Sequence, residues 1–237
     1  MGIIKSFIRA PFRLVGYDIV RRRKPDYIWL QELEIRTLLD IGANVGQYAS
    51  EMRKIFPKAQ IYSFEPLKDC FKQLNENMKN DARFQTFNCA LGDEPGEIQI
   101  NRNEHSPASS LLKLGDLHRK HYTYAVATQS ESIRVECLDN IVGQLKIETP
   151  LMIKFDVQGF EDKVIAGGVK TIRKAKILIV ETSFEELYEG QPLFDDIYEK
   201  LKELGFIYYS NNHQVHSDTD RRVLQENSVF IKPNSQT

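Results

Sequence analysis

The sequence predicts an α/β fold, a mainly parallel sheet with helices on both faces. Past residue 36, short β-branched and aromatic runs alternate with charged segments of helical period, the rhythm of successive βαβ units. The first run ends in an acid and a glycine-containing turn, "LLDIGANVG" at 38–46, and the second ends in "FEP" at 64–66. Ligands of open α/β sheets bind outside the carboxyl ends of the strands, so these two turns also mark where a site is expected. No Ser/Gly/Pro-rich linker, repeat or low-complexity tract divides the chain, and residues 36–237 read as one domain behind an N-terminal extension at 1–35.

Strands are expected at "TLLDI" 37–41, "QIYSFE" 60–65 and "RFQTFNCAL" 83–91, each a β-branched or aromatic run bounded by turn residues. Helices fall between them at about 47–56, just past the glycines of the first turn, and at about 67–79, where Pro66 stops the strand and suits a helix N-terminus. The segment 92–140 breaks the rhythm. It holds two alternating stretches, "EIQINRN" at 97–103 and "ESIRVECL" at 131–138, around a polar loop much longer than the usual connection of roughly 4–6 residues. It reads as a lid or substrate-facing insertion. The rhythm resumes with "LMIKFDV" 151–157, a helix at about 160–170, "ILIVET" 177–182 and a helix at about 193–204. "FIYYSN" 206–211 and "SVFIK" 228–232 are joined by too few residues for a helical crossover of normal size, which predicts an antiparallel hairpin at the sheet edge.

Composition narrows the partners. Cys70, Cys89 and Cys137 form no CxxC pair and lie in or beside apolar runs, so neither a disulfide framework nor a zinc ribbon is suggested and a cytoplasmic setting is expected. No apolar stretch approaches the roughly 18 residues that a membrane span needs, and the basic N-terminus lacks a signal-peptide core. The formal net charge of −1 hides an asymmetry, since residues 1–24 carry +6 and the remainder −7. That acidic remainder argues against a nucleic-acid partner. The basic segment places Ile4, Phe7, Ile8 and Val15 at near-helical spacing; it reads first as a cap on the domain, and second as a peripheral contact with anionic lipid.

The first turn discriminates among cofactors. A nicotinamide fingerprint needs glycines at 42, 44 and 47, where this chain has Gly42, Asn44 and Gln47. A phosphate loop needs a terminal Gly-Lys-Ser/Thr, and "VGQY" has no lysine. What the turn does have is Asp40, two residues before Gly42; a carboxylate there repels a pyrophosphate and favours an ammonium or a sulfonium. Glu65 follows at the end of the next strand, 23 residues after Gly42, where an acid can accept two hydrogen bonds from a ribose diol. Together they favour a cationic nucleoside.

The stretches "LLDIGANVGQYA", "IYSFEP", "ALGDEPG", "SPASSL", "MIKFDVQGFEDKVIAGG" and "VETSFEELYEGQP" resemble those of the FkbM family of class I S-adenosylmethionine-dependent methyltransferases. The resemblance covers most of residues 36–210. It implies a Rossmann-like, seven-stranded sheet with an antiparallel last strand, S-adenosyl-L-methionine as cofactor, and O-methylation of a hydroxyl on a sugar, glycan or related natural product. By the same resemblance, Asp40, Gly42, Asn44 and Gly46 form the loop at the methionine end and Glu65, followed by Pro66, binds the ribose. The "NCALGD" stretch with Cys89 and Ala90 walls the adenine, and Asp156 is the acid nearest the reacting methyl. One departure is Gln158, where the family commonly has a glutamate.

An alcohol is a poor nucleophile while protonated, so a base is expected beside it. Asp156, Glu161 and Glu181 all fall at or just past carboxyl ends of expected strands, with Asp156 the first choice. Glu161 has an equally good reading as an acid complementing a helix N-terminus. Hard cations accept oxygen clusters of this kind, but Gln158 removes one acid and no His/Cys spacing supports a metal, so none is expected. His105 and the serines Ser106, Ser109 and Ser110 of "SPASS" lie in the long loop, as candidate base or acceptor ligands or as ordinary loop residues; His118, His121, His213 and His216 read as surface residues. Two other readings stay open: methylation of a small-molecule amine or protein side chain, and a binding protein of methyltransferase fold without chemistry.

Overall fold

The computed structural model describes residues 28–103 and 128–233. Its main sheet has seven strands in the order β3-β2-β1-β7-β8-β10-β9: β1 (Thr37–Ile41), β2 (Gln60–Phe64), β3 (Phe84–Phe87), β7 (Leu151–Phe155), β8 (Ala175–Ser183), β9 (Ile207–His216) and β10 (Val223–Ile231). The pairs from β3 to β8 are parallel, and β10 runs antiparallel to both β8 and β9. A second sheet of three strands holds β4 (Ala90–Leu91), β5 (Gly96–Asn103) and β6 (Thr128–Glu136) in the order β4-β6-β5.

Helices cover both faces of the main sheet because its strands are apolar on both sides. A 3-10 helix (Ile28–Leu33), α1 (Gln47–Ile55) and α2 (Lys68–Met78) pack on the face that carries Leu38, Ile61, Met152 and Ile177. The opposite face, with Leu39, Ile153, Leu178 and Phe230, is covered by α3 (Leu138–Val142), α4 (Glu161–Gly167), α5 (Val169–Ile172) and α6 (Phe194–Glu203). α1 and α2 each turn one apolar stripe inward, Ala49 and Met52 in the first and Cys70, Leu74 and Met78 in the second, the spacing of an amphipathic helix. Leu30 and Ile35, from the stretch read as extension, are buried in this core.

Three expected elements differ from what forms. The run 83–91 is not one strand. It ends at Phe87, and Asn88 leaves the sheet to donate its amide to the carbonyls of Glu65 and Pro66, both at 2.9 Å, after which β4 joins the small sheet. The helix expected at 160–170 is two, α4 and α5, separated at Gly168. The closing hairpin sits at the sheet edge as expected, but its strands are long, so that most of the presumed connection is paired. The insertion builds β5 and β6, an antiparallel ladder from Gly96↔Val135 to Asn103↔Thr128; the rest of its loop, with His105, "SPASS", His118 and His121, lies outside the described residues, as does the basic segment 1–24.

Candidate active site

The strand order reverses between β1 and β7, and a cleft opens there across the carboxyl ends of β2, β1, β7 and β8. It encloses about 870 Å³, its open mouth included. Neighbouring strands lie roughly 4.8 Å apart, which sets its β2 end and its β8 end about 14 Å from each other. The two ends differ in chemistry.

At the β2 end, Glu65 lies just past the strand and is buried. Its Oε2 accepts the backbone N–H of Asn44 at 2.8 Å and its Oε1 that of Leu67 at 2.9 Å. Burial nevertheless pushes its carboxyl up to about 7, against the pull of those two donors. Each oxygen retains acceptor capacity, which suits a diol. Beyond it the wall is apolar: Leu67, Ala90, Leu91, Ile100, Ile133 and Phe160 face the cleft, with Pro66 and Cys89 beside them. The Cys89 thiol is pushed up to about 11 by burial, so it acts as a small apolar group rather than as a nucleophile. Ile100 and Ile133 come from β5 and β6; their alternating pattern marks them as strand residues and carries no signal that the small sheet turns them toward a ligand.

The first turn is held by backbone geometry. Gly42 has φ +81°, and a Cβ on it would lie 1.8 Å from the Asp156 carbonyl oxygen; β1 and β7 come together here because this residue has no side chain. Gly42 and Asn44 line the cleft. Gly46 does not: it faces α2, where a Cβ would meet Leu74 at 2.6 Å. Asp40 is not on the cleft wall either. It is completely buried beneath the turn, its Oδ1 has no hydrogen-bond partner, and its Oδ2 receives a long bond of 3.5 Å from Ser63. Burial pushes this carboxyl up to about 6 even with the Lys154 ammonium nearby. An unmatched acceptor under the turn fits the cationic end of a ligand through charge, without direct contact with the carboxylate.

The β8 end is a polar cluster. Asp156 stands just past β7; its Oδ2 accepts from Lys154 Nζ at 2.9 Å and its Oδ1 from Gln158 Nε2 at 2.8 Å. Burial works against the ionised carboxyl, but the Lys154 ammonium and the Gln158 amide outweigh it and hold Asp156 below the usual range. Glu181 on β8 accepts from the same Gln158 Nε2 at 2.5 Å, and burial, followed by the Asp156 and Glu161 charges, raises it well above that range. Lys154 is itself buried, over the Tyr48 ring at 5.1 Å. A lysine inside the apolar run "LMIKF", two residues before Asp156, shares a strand face with it, and that was a legible signal.

Glu161 departs from the expected catalytic role. It is buried and turned away from the cleft, where Oε1 accepts the N–H of Val157 at 3.1 Å and Oε2 that of Gly159 at 3.0 Å. Its carboxyl, raised to about 7 by burial, ties down the loop between β7 and α4. Among the described residues no cluster of three or more His, Cys, Asp or Glu is placed to hold a metal. His213 and His216 lie on the edge strand β9, exposed and half-buried.

A cleft with an apolar slot, a ribose-ready carboxylate and an acidic far end fits a nucleoside carrying a positive charge. A family model described as "Methyltransferase FkbM domain" matches residues 40–208, which include every residue lining that cleft, from Ile41 to Glu181. The chain belongs to the FkbM methyltransferase family. S-adenosylmethionine is accordingly the cofactor of this FkbM methyltransferase. Over 160 residues it is 32% identical to the 2-O-methyltransferase NoeI of Sinorhizobium fredii, covering 65% of this chain and 66% of NoeI. It is 28% identical over 167 residues to the hexuronic acid methyltransferase AglP of Haloferax volcanii, covering 69% and 61%, respectively. The match to Methyltransferase 1 of Beauveria bassiana is 24% over 142 residues, covering 55% and 57%. The chain thus spans between about half and two thirds of these relatives' own length.

Proposed function

We propose that this FkbM methyltransferase transfers a methyl group to a hydroxyl on a sugar, glycan or related natural product. S-adenosylmethionine supplies the methyl on a sulfonium, whose sulfur keeps the electron pair of the broken bond. Glu65 binds the ribose diol, the slot from Leu67 to Phe160 takes the adenine, and the negative charge of Asp40 and Asp156 favours the cationic end. Asp156 is the observation that carries the acceptor reading. Held ionised by Lys154, it can accept a hydroxyl's hydrogen bond at neutral pH and take its proton as the new carbon–oxygen bond forms. The relatives named as a 2-O-methyltransferase and a hexuronic acid methyltransferase support a hydroxyl acceptor on a sugar.

Methyl-labelled S-adenosylmethionine incubated with the protein and a panel of hexoses, hexuronic acids and oligosaccharides tests this reading. Label in an acid-stable ether on a sugar is expected; label found only in amines or on protein overturns it. The reading also includes a cytoplasmic setting and, through the +6 segment 1–24, a peripheral contact with anionic lipid. Sedimentation with phosphatidylserine vesicles is expected to carry the protein down at low salt and release it at high salt. Failure to sediment at low salt removes the lipid contact.

A further inference from the structure

Two carboxyl groups in contact repel when both are ionised, and something must hold them together. Asp156 follows the last residue of β7, Glu181 lies on the neighbouring strand β8, and both reach the same side-chain amide at the acid end of the cleft. Gln158 spans them. Its Nε2 donates to Asp156 Oδ1 at 2.8 Å and to Glu181 Oε2 at 2.5 Å, while its Oε1 accepts from the Tyr188 hydroxyl at 2.5 Å. The direction of the amide follows from chemistry. Carboxylate oxygens need donors, so the NH2 group must face them, and the remaining oxygen then requires a donor, which the phenol supplies. Tyr188 is fully buried, so its hydroxyl is held in place by the packing of the chain between β8 and α6. Gln158 itself has φ +55° and is followed by Gly159 at φ +96°. A non-glycine residue in the left-handed region is uncommon and tends to persist where its surroundings hold it there; here its side chain makes three hydrogen bonds.

We propose that Gln158 is a positioning residue that holds Asp156 and Glu181 side by side as a one-proton pair facing the acceptor hydroxyl, with Tyr188 fixing the direction of its amide. This deepens the O-methylation reading and rests on it for the role of the pair. The other charged groups near the pair are Lys154 on β7, Asp40 on β1 and Glu161 at the start of α4. Lys154 assigns the negative charge to Asp156, because its ammonium reaches that carboxylate directly. The shared proton then sits on Glu181. A proton leaving the acceptor hydroxyl arrives at Asp156, and Glu181 remains a hydrogen-bond donor to it throughout. An amide is suited to this bridge since it donates two N–H bonds without adding charge; a glutamate at 158 would put a second negative charge beside that of Asp156.

Carboxyl 13C NMR titration of the protein, free and with S-adenosylhomocysteine, tests this assignment. In the wild type, Asp156 is expected to titrate below the ordinary carboxylate range and Glu181 far above it. In Gln158→Met, which keeps the length of the side chain and removes both donors, the lower midpoint should rise by about one pH unit or more. Tyr188→Phe should move it in the same direction by less. Superimposable Asp156 and Glu181 curves in Gln158→Met and wild type overturn the proposal. If Gln158→Met does not fold, Tyr188→Phe decides, and an unshifted midpoint in that variant overturns it equally. Failure of the wild type to bind S-adenosylhomocysteine would count against the methyl-transfer reading, and the free-protein titration would still judge the pair.

Discussion

At the scale of single residues, the two acids at opposite ends of the cleft make separable predictions. Glu65 lies near its midpoint at neutral pH because burial raises it to about 7, and a diol that donates to it favours the ionised form. S-adenosylhomocysteine binding should therefore strengthen as pH rises from 6 to 8 and release protons near pH 7. Calorimetry in buffers of different ionisation enthalpy should show that release in wild type and its disappearance in Glu65→Gln; Glu65→Ala should lose affinity by about tenfold or more. Asp156→Asn should leave that binding within a few-fold and lower turnover by roughly 10²–10⁴. Near-wild-type turnover would show that Asp156 is not the base. These two acids, with Gly42 and Asn44, were legible because a charge beside a glycine turn or at a strand end is a local pattern. Tyr188 and Ile100 were not, since their place at the cluster and the cleft depends on segments that meet only after folding. Glu161 was legible in part: spacing placed it at a helix start, where it lies, and only the loop's backbone decides between its two readings, because its carboxylate is used up on Val157 and Gly159.

At the scale of elements, the site depends on how closely β1 and β7 approach. The Asp156 N–H donates to the Ile41 carbonyl at 3.0 Å, one step before Gly42, so the turn carrying the cofactor side and the strand end carrying the acid are directly bonded. Gly42→Ala puts a Cβ at 1.8 Å from a backbone oxygen and adds left-handed strain at φ +81°. Backbone must move to relieve it, and a loss on the order of 3 kcal/mol is expected, or a Tm about 6–12 °C lower for a chain of this size. S-adenosylhomocysteine affinity should fall in the same variant. An unchanged melting curve would mean the approach is looser than the structure has it. The parallel strands were readable from their apolar runs because each is buried on both faces, and the antiparallel hairpin because its connection is short. The break at Asn88 was not, because the residue that ends β3 does so by reaching the carbonyls of Glu65 and Pro66, 23 and 22 positions away in the chain.

At the scale of the whole molecule, the cofactor end of the sheet concentrates buried acids whose protonation is coupled to folding. Asp40 is raised to about 6, Glu65 to about 7 and Glu161 to about 7, in each case chiefly by burial. The unfolded chain ionises these groups near pH 4, so between about pH 4 and pH 7 the folded protein holds more protons than the unfolded one. Stability then falls as pH rises through that window, by at most about 3 kcal/mol for each of these three groups, and Glu181, raised well above the usual range, extends the fall beyond it. Groups shifted the other way act elsewhere: Asp93, Asp156 and Asp220 are lowered and act below about pH 4, and Lys154 is raised and acts in the alkaline range. The cofactor-free protein should therefore melt several degrees lower at pH 7.5 than at pH 5. S-adenosylhomocysteine should reduce the difference, because its ribose and ammonium stabilise Glu65 and Asp40 in their ionised forms, and Glu65→Gln should reduce it without ligand. Calorimetric melts across that range provide the check, and a Tm that rises steadily from pH 5 to 7.5 in the free protein would show that these carboxyls are not buried as the fold has them.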